Sequence, residues 1–155
     1  MDLLSNSTHE RFIKQAIRLA EMGGGLEEIP IGAVVVKENN VIGRGYNQPI
    51  TTKDPTAHAE IIALKEASNR LDNYRLNEAI IYTTLEPCLM CAGALVHARI
   101  KKIIFAAQDT KSGVVVNNGG LIQSEFLNHK VSFEGGILEK EASKLLKDFF
   151  LEKRS

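Results

Sequence analysis

Residues 79–107, AIIYTTLEPCLMCAGALVHARIKKIIFAA, contain two apolar runs separated by a short helical segment. Residues 79–83 are apolar and β-branched and predict a buried strand, and residues 102–107 predict a second strand. Between them, residues 90–97 follow Pro87 and predict a short helix. Alternation of strands and helices is typical of a layered α/β domain.

The same alternation extends through the rest of the chain. The spacing of Ser7 and Glu10 predicts a capping box for a first helix, which should end near the glycines at 23–25. Two β-branched runs surround Asn39-Asn40 and predict a β-hairpin. The other predicted elements are a loop over 47–56, a helix from 57 to about 70, a loop over 113–120, a strand over 130–134 and a C-terminal helix.

Length and composition indicate one globular domain. The chain has 155 residues, 44% of them hydrophobic and 25% charged, which excludes an intrinsically disordered protein. Nineteen basic residues balance nineteen acidic ones. A nucleic-acid partner would therefore be bound by a local patch, not by a strongly basic surface. We expect residues 1–155 to form a single domain.

The cysteine count and the termini indicate the compartment. Cys88 and Cys91 are the two cysteines of the chain, and a secreted disulfide scaffold of this size would normally have more. The N-terminus, MDLLSNSTHERF, lacks the apolar core of a signal peptide. No apolar stretch approaches the ~18 residues that span a bilayer. The sequence therefore predicts a soluble cytoplasmic protein without a membrane partner.

Two short segments contain the residues suited to metal chemistry, His58-Ala59-Glu60 and Pro87-Cys88-Leu89-Met90-Cys91. Each lies at the predicted start of a helix. Imidazole and thiolate are preferred zinc ligands, and three protein ligands leave a fourth position for water, as in catalytic sites. Zinc lowers the pKa of bound water from ~15.7 to ~7. We predict that His58, Cys88 and Cys91 bind one zinc ion.

Glu60 is the predicted proton-transferring group. On a regular helix with ~3.6 residues per turn, side chains two positions apart point about 200° away from each other. Glu60 and His58 therefore reach one site only if His58 occupies the irregular start of the helix, which Pro55 favours. An unligated carboxylate beside a metal-bound water is suited to moving protons.

Each motif also has a simpler interpretation. Cys88 and Cys91 would suit a redox pair, or half of a structural zinc site, although the chain has no second cysteine pair to complete it. An isolated His-x-Glu is more often a surface pair. His97 is interpreted as a helix or dimer-surface residue, and His129 as loop structure. The combination of both motifs, with 26 residues between Glu60 and Pro87, is a much rarer pattern.

The pattern His-x-Glu followed by Pro-Cys-x-x-Cys is similar to the signature of zinc-dependent nucleobase deaminases. The chain further resembles the bacterial tRNA-specific adenosine deaminases (TadA type) of the cytidine/deoxycytidylate deaminase superfamily in the stretches PIGAVVV, NQPITTKDPTAHAEIIAL, NYRL, TLEPCLMCAGALVHARI and DFF. This resemblance implies an α/β fold, a three-layer α/β/α sandwich around a mixed five-stranded sheet. It also implies a homodimer with one Zn²⁺ per subunit and its subunit contact near residues 88–99.

The implied reaction is hydrolytic deamination of adenosine to inosine at the wobble position of a tRNA anticodon. By resemblance, His58, Cys88 and Cys91 match the zinc ligands, and Glu60 matches the proton shuttle that acts on a zinc-activated water. The resemblance also implies substrate contacts. Asn47 would hydrogen-bond the inserted base and Ile31 would form an apolar wall of its pocket. The other implied contacts are flanking nucleotides for Asp109 and Lys111, the pocket rim for Asn128 and RNA for Phe150. For Ile31 the alternative is core packing, and for Asp109 and Lys111 a solvated charged loop.

Two segments depart from that family. Residues 113–117, GVVVN, are more apolar than the small-residue sequence expected there, and Leu151-Glu152 replaces a more basic tail. Two other functions therefore stay open. The same zinc site would serve a small-molecule nucleobase or nucleoside deaminase acting on guanine or cytosine. The second alternative is a zinc-stabilised binding module or an inactive subunit of a larger editing complex, and the presence of Glu60 argues against it.

Overall fold

A computed structural model describes residues 5–154, which are built around a mixed five-stranded sheet with strand order β2-β1-β3-β4-β5. The strands are β1 (Gly32–Lys37), β2 (Asn40–Tyr46), β3 (Ile80–Leu85), β4 (Lys102–Ala107) and β5 (Ser132–Gly135). Strand β1 pairs antiparallel with β2 and β3, whereas β4 pairs parallel with β3 and β5. This is the mixed sheet that the resemblance implies.

Helices cover both faces of the sheet, which gives the expected three layers. Within the described residues they are α1 (Asn6–Gly25), α2 (Pro49–Thr52), α3 (Ala59–Leu71), α4 (Leu89–His97) and α5 (Glu139–Arg154). Adjacent strand residues point to opposite faces. Tyr82 accordingly packs in one core cluster with Phe12 of α1, whereas Ile81 packs in the other with Ala63 of α3 and Leu95 of α4. None of these helices is long and apolar enough to cross a lipid bilayer.

The stretch 79–107 folds as its pattern predicts, into β3, α4 and β4. Strands β3 and β4 lie inside the sheet and are buried on both faces, which explains their continuous apolar runs. Because the two strands are parallel, their carboxyl ends lie at the same edge of the sheet. Cys88 and the start of α4 follow β3 directly, so the metal-binding motif lies at this edge.

Strands β1 and β2 form the predicted hairpin, but its turn is one residue earlier than Asn39-Asn40. The turn residues are Glu38 and Asn39, with φ of 52° and 64°, and Asn40 already pairs with Lys37. Helix α3 packs closely on β2, where a Cβ at Gly45 would collide with the carbonyl oxygen of Ala59. This close approach holds the beginning of α3 against the sheet.

The first helix begins differently from its prediction. Its N-cap is Ser5, whose Oγ accepts a hydrogen bond from the amide of Thr8 at 3.3 Å. Ser7 lies inside the helix and is therefore not the cap, so the predicted capping box with Glu10 is wrong. The helix ends at Gly25, within the predicted glycine run.

Two predicted loops contain more structure than expected. The loop over 47–56 includes the short helix α2, and a 3₁₀ turn, Leu121–Gln123, follows the loop over 113–120. Val114 and Val115 are 5% and 0% exposed and belong to the core cluster under α3 and α4. The two valine side chains therefore fill the core next to the metal-binding motif, which explains why this segment is apolar.

Candidate metal centre and active site

The start of two helices provides the three predicted metal ligands. His58 is the N-cap of α3 and Cys88 the N-cap of α4, each with extended backbone (φ −76°, ψ 155° and φ −81°, ψ 177°). Cys91 is buried in the first turn of α4. Unpaired amides and the helix dipole favour negative charge at such positions, which stabilises thiolates there.

The separations of the ligand atoms fit zinc. The Sγ atoms of Cys88 and Cys91 lie 3.6 and 3.5 Å from Nδ1 of His58, and all three ligand atoms lie within 4.8 Å of one another. A tetrahedral zinc, with bonds of ~2.3 Å to sulfur and ~2.0–2.1 Å to nitrogen, separates those ligands by roughly 3.6 Å. The set leaves the fourth position of a tetrahedral ion open, as a catalytic site requires.

The protonation of the ligands also favours a cation. A hydrogen bond from Cys91, assisted by His58, lowers the pKa of Cys88 to about 4. The hydrogen bond with Cys88 and burial raise the pKa of Cys91, and the bond with Cys88 raises that of His58. The two cysteines therefore oppose each other's ionisation, because a second negative charge would lie against the first. A dication removes that repulsion and displaces the protons.

Glu60 lies beside this cluster in the first turn of α3 and is 4% exposed. The pKa of its carboxyl is raised to about 7, chiefly by burial and also by the charge of Cys88. A backbone hydrogen bond, His58 and a hydrogen bond with the Cys91 side chain act in the opposite direction. Because His58 has extended backbone outside the helix, its side chain and that of Glu60 reach the same cluster. The predicted irregular helix start is confirmed.

Asn47 joins the start of α3 to the segment before β1. Its side-chain Oδ1 accepts a hydrogen bond from the backbone amide of Ala59 at 2.8 Å. The backbone amide of Asn47 donates to the carbonyl of Ile31 at 3.1 Å. With Oδ1 occupied, Nδ2 is the end of the side chain left to donate to a ligand. Ile31 is half-buried and packs against the core under α3 and α4, so it has at least the packing role.

The predicted rim residues come from other parts of the chain. Asp109 builds a tight turn, since its Oδ1 accepts hydrogen bonds from the amides of Lys111 (3.1 Å) and Ser112 (3.0 Å). Lys111 is exposed on that turn. Asn128 is exposed before β5, and Phe150 of α5 is 43% exposed. These four residues belong to neither metal-binding motif, and their predicted contacts with substrate stay predictions.

Two buried carboxylates that the motifs do not reveal hold the loops around the site. Glu28 is 1% exposed and accepts hydrogen bonds from the amide of Ile50 (3.3 Å) and from the amide and hydroxyl of Thr51 (both 2.6 Å). Glu86, 2% exposed, accepts bonds from the loop that carries Asp109. Burial alone would raise the pKa of both carboxyls, but these hydrogen bonds outweigh it and hold each pKa below its usual value.

A sequence signal for these two carboxylates does exist. Glu28 lies just before an apolar strand, and Glu86 lies between an apolar strand and Pro87. A charged residue in such a buried context needs hydrogen-bond partners, although the sequence does not identify them.

The remaining histidines lie outside the cluster. His129 donates from Nε2 to the carbonyl of Ile100 at 2.7 Å, which agrees with the predicted loop role. His97 is exposed at the end of α4. His9 is buried under the opposite face of the sheet, where its Nδ1 lies 2.8 Å from the hydroxyl of Tyr82.

Comparisons with known proteins agree with this geometry. The family described as "Cytidine and deoxycytidylate deaminase zinc-binding region" matches residues 6–107. The tRNA-specific adenosine deaminase of Aquifex aeolicus is 46% identical over 94% of this chain and 96% of its own length. The protein of the same name from Haemophilus influenzae is 43% identical over 94% of this chain and 84% of its own.

Solved structures give the same result. A structure from work on A-to-I editing by tRNA:A34 deaminases at the wobble position of transfer RNA has a TM-score of 0.85 and 38% identity, covering 88% of this chain and 99% of that one. The guanine deaminase from Bacillus subtilis has a TM-score of 0.62 and 45% identity over 64% of each chain. The similarity to the tRNA:A34 deaminase extends over more of both chains.

Proposed function

Because the chain belongs to the tRNA-specific adenosine deaminases within the cytidine and deoxycytidylate deaminase family, we propose that it converts adenosine to inosine at the wobble position of a tRNA anticodon. The observation that carries the proposal is a zinc-sized cluster of His58, Cys88 and Cys91 with the buried Glu60 beside it. The proposed deaminase domain comprises residues 1–155, and a tRNA substrate would place it in the cytoplasm.

The three ligands hold the metal and keep one position open for water. Zinc bound there supplies a Lewis acid that lowers the pKa of a coordinated water to about 7. His58 and Cys88 occupy the N-cap positions of α3 and α4, so the fold determines where the backbone of each ligand lies. The overall reaction consumes one water and releases one ammonia for each adenosine.

Glu60 moves the protons of the reaction. Its carboxylate accepts the proton that the attacking water gives up and donates it to N1 of adenine. It then takes the remaining proton from the hydroxyl now bonded to C6 and donates it to the amine, which leaves C6 as ammonia. A pKa near the working pH favours transfer in both directions, and burial raises the pKa of Glu60 to about 7. A dication beside it favours the carboxylate, which is the form that accepts the first proton.

Asn47 and Ile31 are the proposed contacts with the adenine base. The Nδ2 of Asn47 donates a hydrogen bond to the base, while its Oδ1 stays bonded to the amide of Ala59. Ile31 offers an apolar wall next to it. A buried amide already fixed by one hydrogen bond loses little freedom when it binds the base.

The proposed contacts with RNA lie on the rim, at Asp109, Lys111, Asn128 and Phe150. An unpaired anticodon loop suits them, because its bases are already unstacked and need no costly extraction from a duplex. The exposed charge of Lys111 suits a phosphate, and an aromatic face such as that of Phe150 suits a base. These contacts are local, in keeping with the formal charge of zero.

We further propose that the chain forms a homodimer through the exposed side of α4. Leu89, Leu121 and Phe126 are 63%, 43% and 82% exposed around a cavity of about 120 Å³ beside this helix. A contiguous apolar patch of this kind marks an interaction surface. Light scattering should give the mass of a dimer, and Phe126→Glu should give a monomer while the control Leu151→Glu stays dimeric. A monomeric wild type would contradict the proposal.

The test of the proposed reaction is an anticodon hairpin with adenine at the wobble position, incubated with the zinc-loaded protein. We expect inosine at that position and at no other adenine of the loop, measured by sequencing and by mass. A hairpin with guanine at the wobble position is the control and should stay unchanged. An intact, zinc-loaded protein that leaves both hairpins unchanged would contradict the proposal.

One other candidate has a specific observation in its favour. The 45% identity to guanine deaminase over 64% of the chain supports deamination of a small base in the same pocket. Free guanine, cytosine and adenosine therefore belong in the same assay. Release of ammonia from one of them, with no inosine in the hairpin, would replace the leading proposal with this one.

A further inference from the structure

We propose that Glu86 is a positioning residue that fixes residues 109–117 on the metal-binding segment and thereby presents Lys111 to the RNA in one geometry. The consequence for RNA rests on the function proposed above. The attachment of the loop rests on the contacts of Glu86 alone.

The backbone of Glu86 is held between the ends of the two central parallel strands. It directly follows β3, and its amide donates to the carbonyl of Ala107, the last residue of β4, at 2.8 Å. The next two residues are Pro87 and the metal ligand Cys88. Its side chain is 2% exposed, so its position is determined by contacts within the protein.

The carboxylate of Glu86 accepts five hydrogen bonds, all from uncharged donors. Oε2 accepts from the amides of Val115 (2.9 Å), Val116 (2.9 Å) and Asn117 (3.1 Å). Oε1 accepts from the amide of Asp109 (3.1 Å) and from Nδ2 of Asn117 (2.6 Å). Three consecutive amides on one oxygen form a nest for an anion, and the protein fills it with its own carboxylate.

The loop also wraps closely around this side chain. A Cβ at Gly113 would collide with Cδ of Glu86, so this position requires glycine. Gly113 forms a β-bridge with Cys88, and the amide of Val114 donates to the carbonyl of Pro87 at 3.0 Å. The loop is therefore attached both to the carboxylate and to the segment that holds the metal ligand.

The loop presents its charged residues from this anchored base. Asp109 bonds to Glu86 through its amide and to Lys111 and Ser112 through its Oδ1, so the direction of the turn depends on where Glu86 holds Asp109. When an amide replaces the carboxylate, one oxygen becomes an NH2 donor, so the backbone amides that face it lose their acceptor. Buried donors without a partner are costly, so the loop should open towards water.

None of the five hydrogen bonds of Glu86 is made to a metal ligand, and His58 and Cys88 occupy the N-caps of α3 and α4. Loss of the Glu86 carboxylate should therefore weaken the binding of RNA more than it slows the chemical step. A residue that only stabilised the fold would instead lower the active fraction, and so kcat, without changing KM or the discrimination between flanking nucleotides.

The experiment compares zinc-loaded wild type with Glu86→Gln on anticodon hairpins that differ in the nucleotides flanking the target adenine. A hydrogen bond to a charged group changes an equilibrium constant by about tenfold or more. We therefore expect Glu86→Gln to raise KM about tenfold and to discriminate less between flanking nucleotides. Kcat should stay within about threefold, with one zinc per chain. The control Glu78→Gln removes an exposed carboxylate that lies 3.1 Å from Nζ of Lys101 and should behave as wild type. A lower kcat with unchanged KM and discrimination would overturn the inference.

Trypsin provides a second readout that needs no RNA. Cleavage after Lys111, detected as fragments 1–111 and 112–155, should be about tenfold faster in Glu86→Gln than in wild type, because cleavage follows the population of the open loop. Equal rates would contradict the attachment of the loop. If wild type forms no inosine, the proposed function fails while this comparison still decides the role of Glu86.

Asn117→Ala provides a milder variant in case Glu86→Gln does not fold. It removes one of the five hydrogen bonds and keeps the carboxylate. We expect faster cleavage after Lys111 and a KM about threefold higher, with full zinc content. Cleavage and KM equal to those of wild type would overturn the inference.

Discussion

The metal cluster and the proposed substrate rim of this molecule are built in different ways. His58, Cys88 and Cys91 come from two short motifs, and the N-cap positions of two helices bring their ligand atoms to 3.5–3.6 Å. The rim residues come from separate loops and a terminal helix. The buried Glu86 holds the loop of Asp109 and Lys111, and Asp109 lies 23 positions further along the chain. The metal ligands are thus encoded by local motifs, whereas the position of the proposed RNA-contacting loop depends on long-range hydrogen bonds.

Removal of a metal ligand should have the largest effect and break the cluster outright. Cys88→Ala leaves two ligands, and we expect loss of both zinc and detectable inosine formation. Elemental analysis of the purified protein measures the metal, and the hairpin assay measures turnover. The control Met90→Ala changes a neighbouring residue of α4 that is not a ligand, and it should keep its zinc. A stoichiometric zinc content in Cys88→Ala would contradict the assigned ligand set.

Loss of a loop-anchoring carboxylate should have an intermediate effect, on stability. Glu28→Gln removes a buried acceptor of three hydrogen bonds and should lower the free energy of unfolding by about 1–3 kcal/mol at pH 7. Urea unfolding measures the change. The control Glu27→Gln alters an exposed carboxylate paired with Lys153. It should change the free energy of unfolding by less than about 1 kcal/mol.

The effect of Glu28 should also depend on pH. Hydrogen bonds hold the pKa of Glu28 below its ordinary value of 4.5 in the folded protein. The carboxylate therefore stabilises the fold above that value and loses its effect as the pH falls through the lowered pKa. The stability difference between wild type and Glu28→Gln should shrink in acid. A difference that grows as the pH falls would contradict this role.

Loss of one rim charge should have the smallest effect. Lys111→Ala should raise KM for the hairpin a few fold and reduce the slope of log affinity against log salt by about 0.7, the value for one phosphate contact with a single strand. Lys144→Ala, on α5, removes a lysine paired with Asp148 and is the control. An unchanged salt slope in Lys111→Ala would mean that Lys111 does not contact phosphate.

The fold could be predicted where the pattern is local and the segment is buried. The bounds of β4, 102–107, are confirmed, because a strand buried on both faces is apolar along its length. The turn of the hairpin could not be located to the residue, since Glu38, which local propensity does not favour at positive φ, adopts it. The cap of α1 could not be chosen between Ser5 and Ser7, because both are good N-cap residues.

The candidate site follows the same division. The grouping of His58 with the two cysteines could be predicted, because their residue types and the combination of both motifs favour a zinc site. The burial of Val114 and Val115 could not be predicted, since it depends on the backbone amides that bond to the carboxylate of Glu86. Such a nest joins residues about thirty positions apart, and no local pattern indicates it.

We propose that metal binding and proton transfer are carried by different residues of one site. Parallel measurement of zinc content and inosine formation in Glu60→Gln tests it directly, with Glu66→Gln, an exposed glutamate of α3, as the control. We predict one zinc per chain in both variants and a rate in Glu60→Gln lower by about 10²–10⁴-fold, the usual contribution of a general acid–base group. A Glu60→Gln protein with zinc and near-normal turnover would contradict the claim.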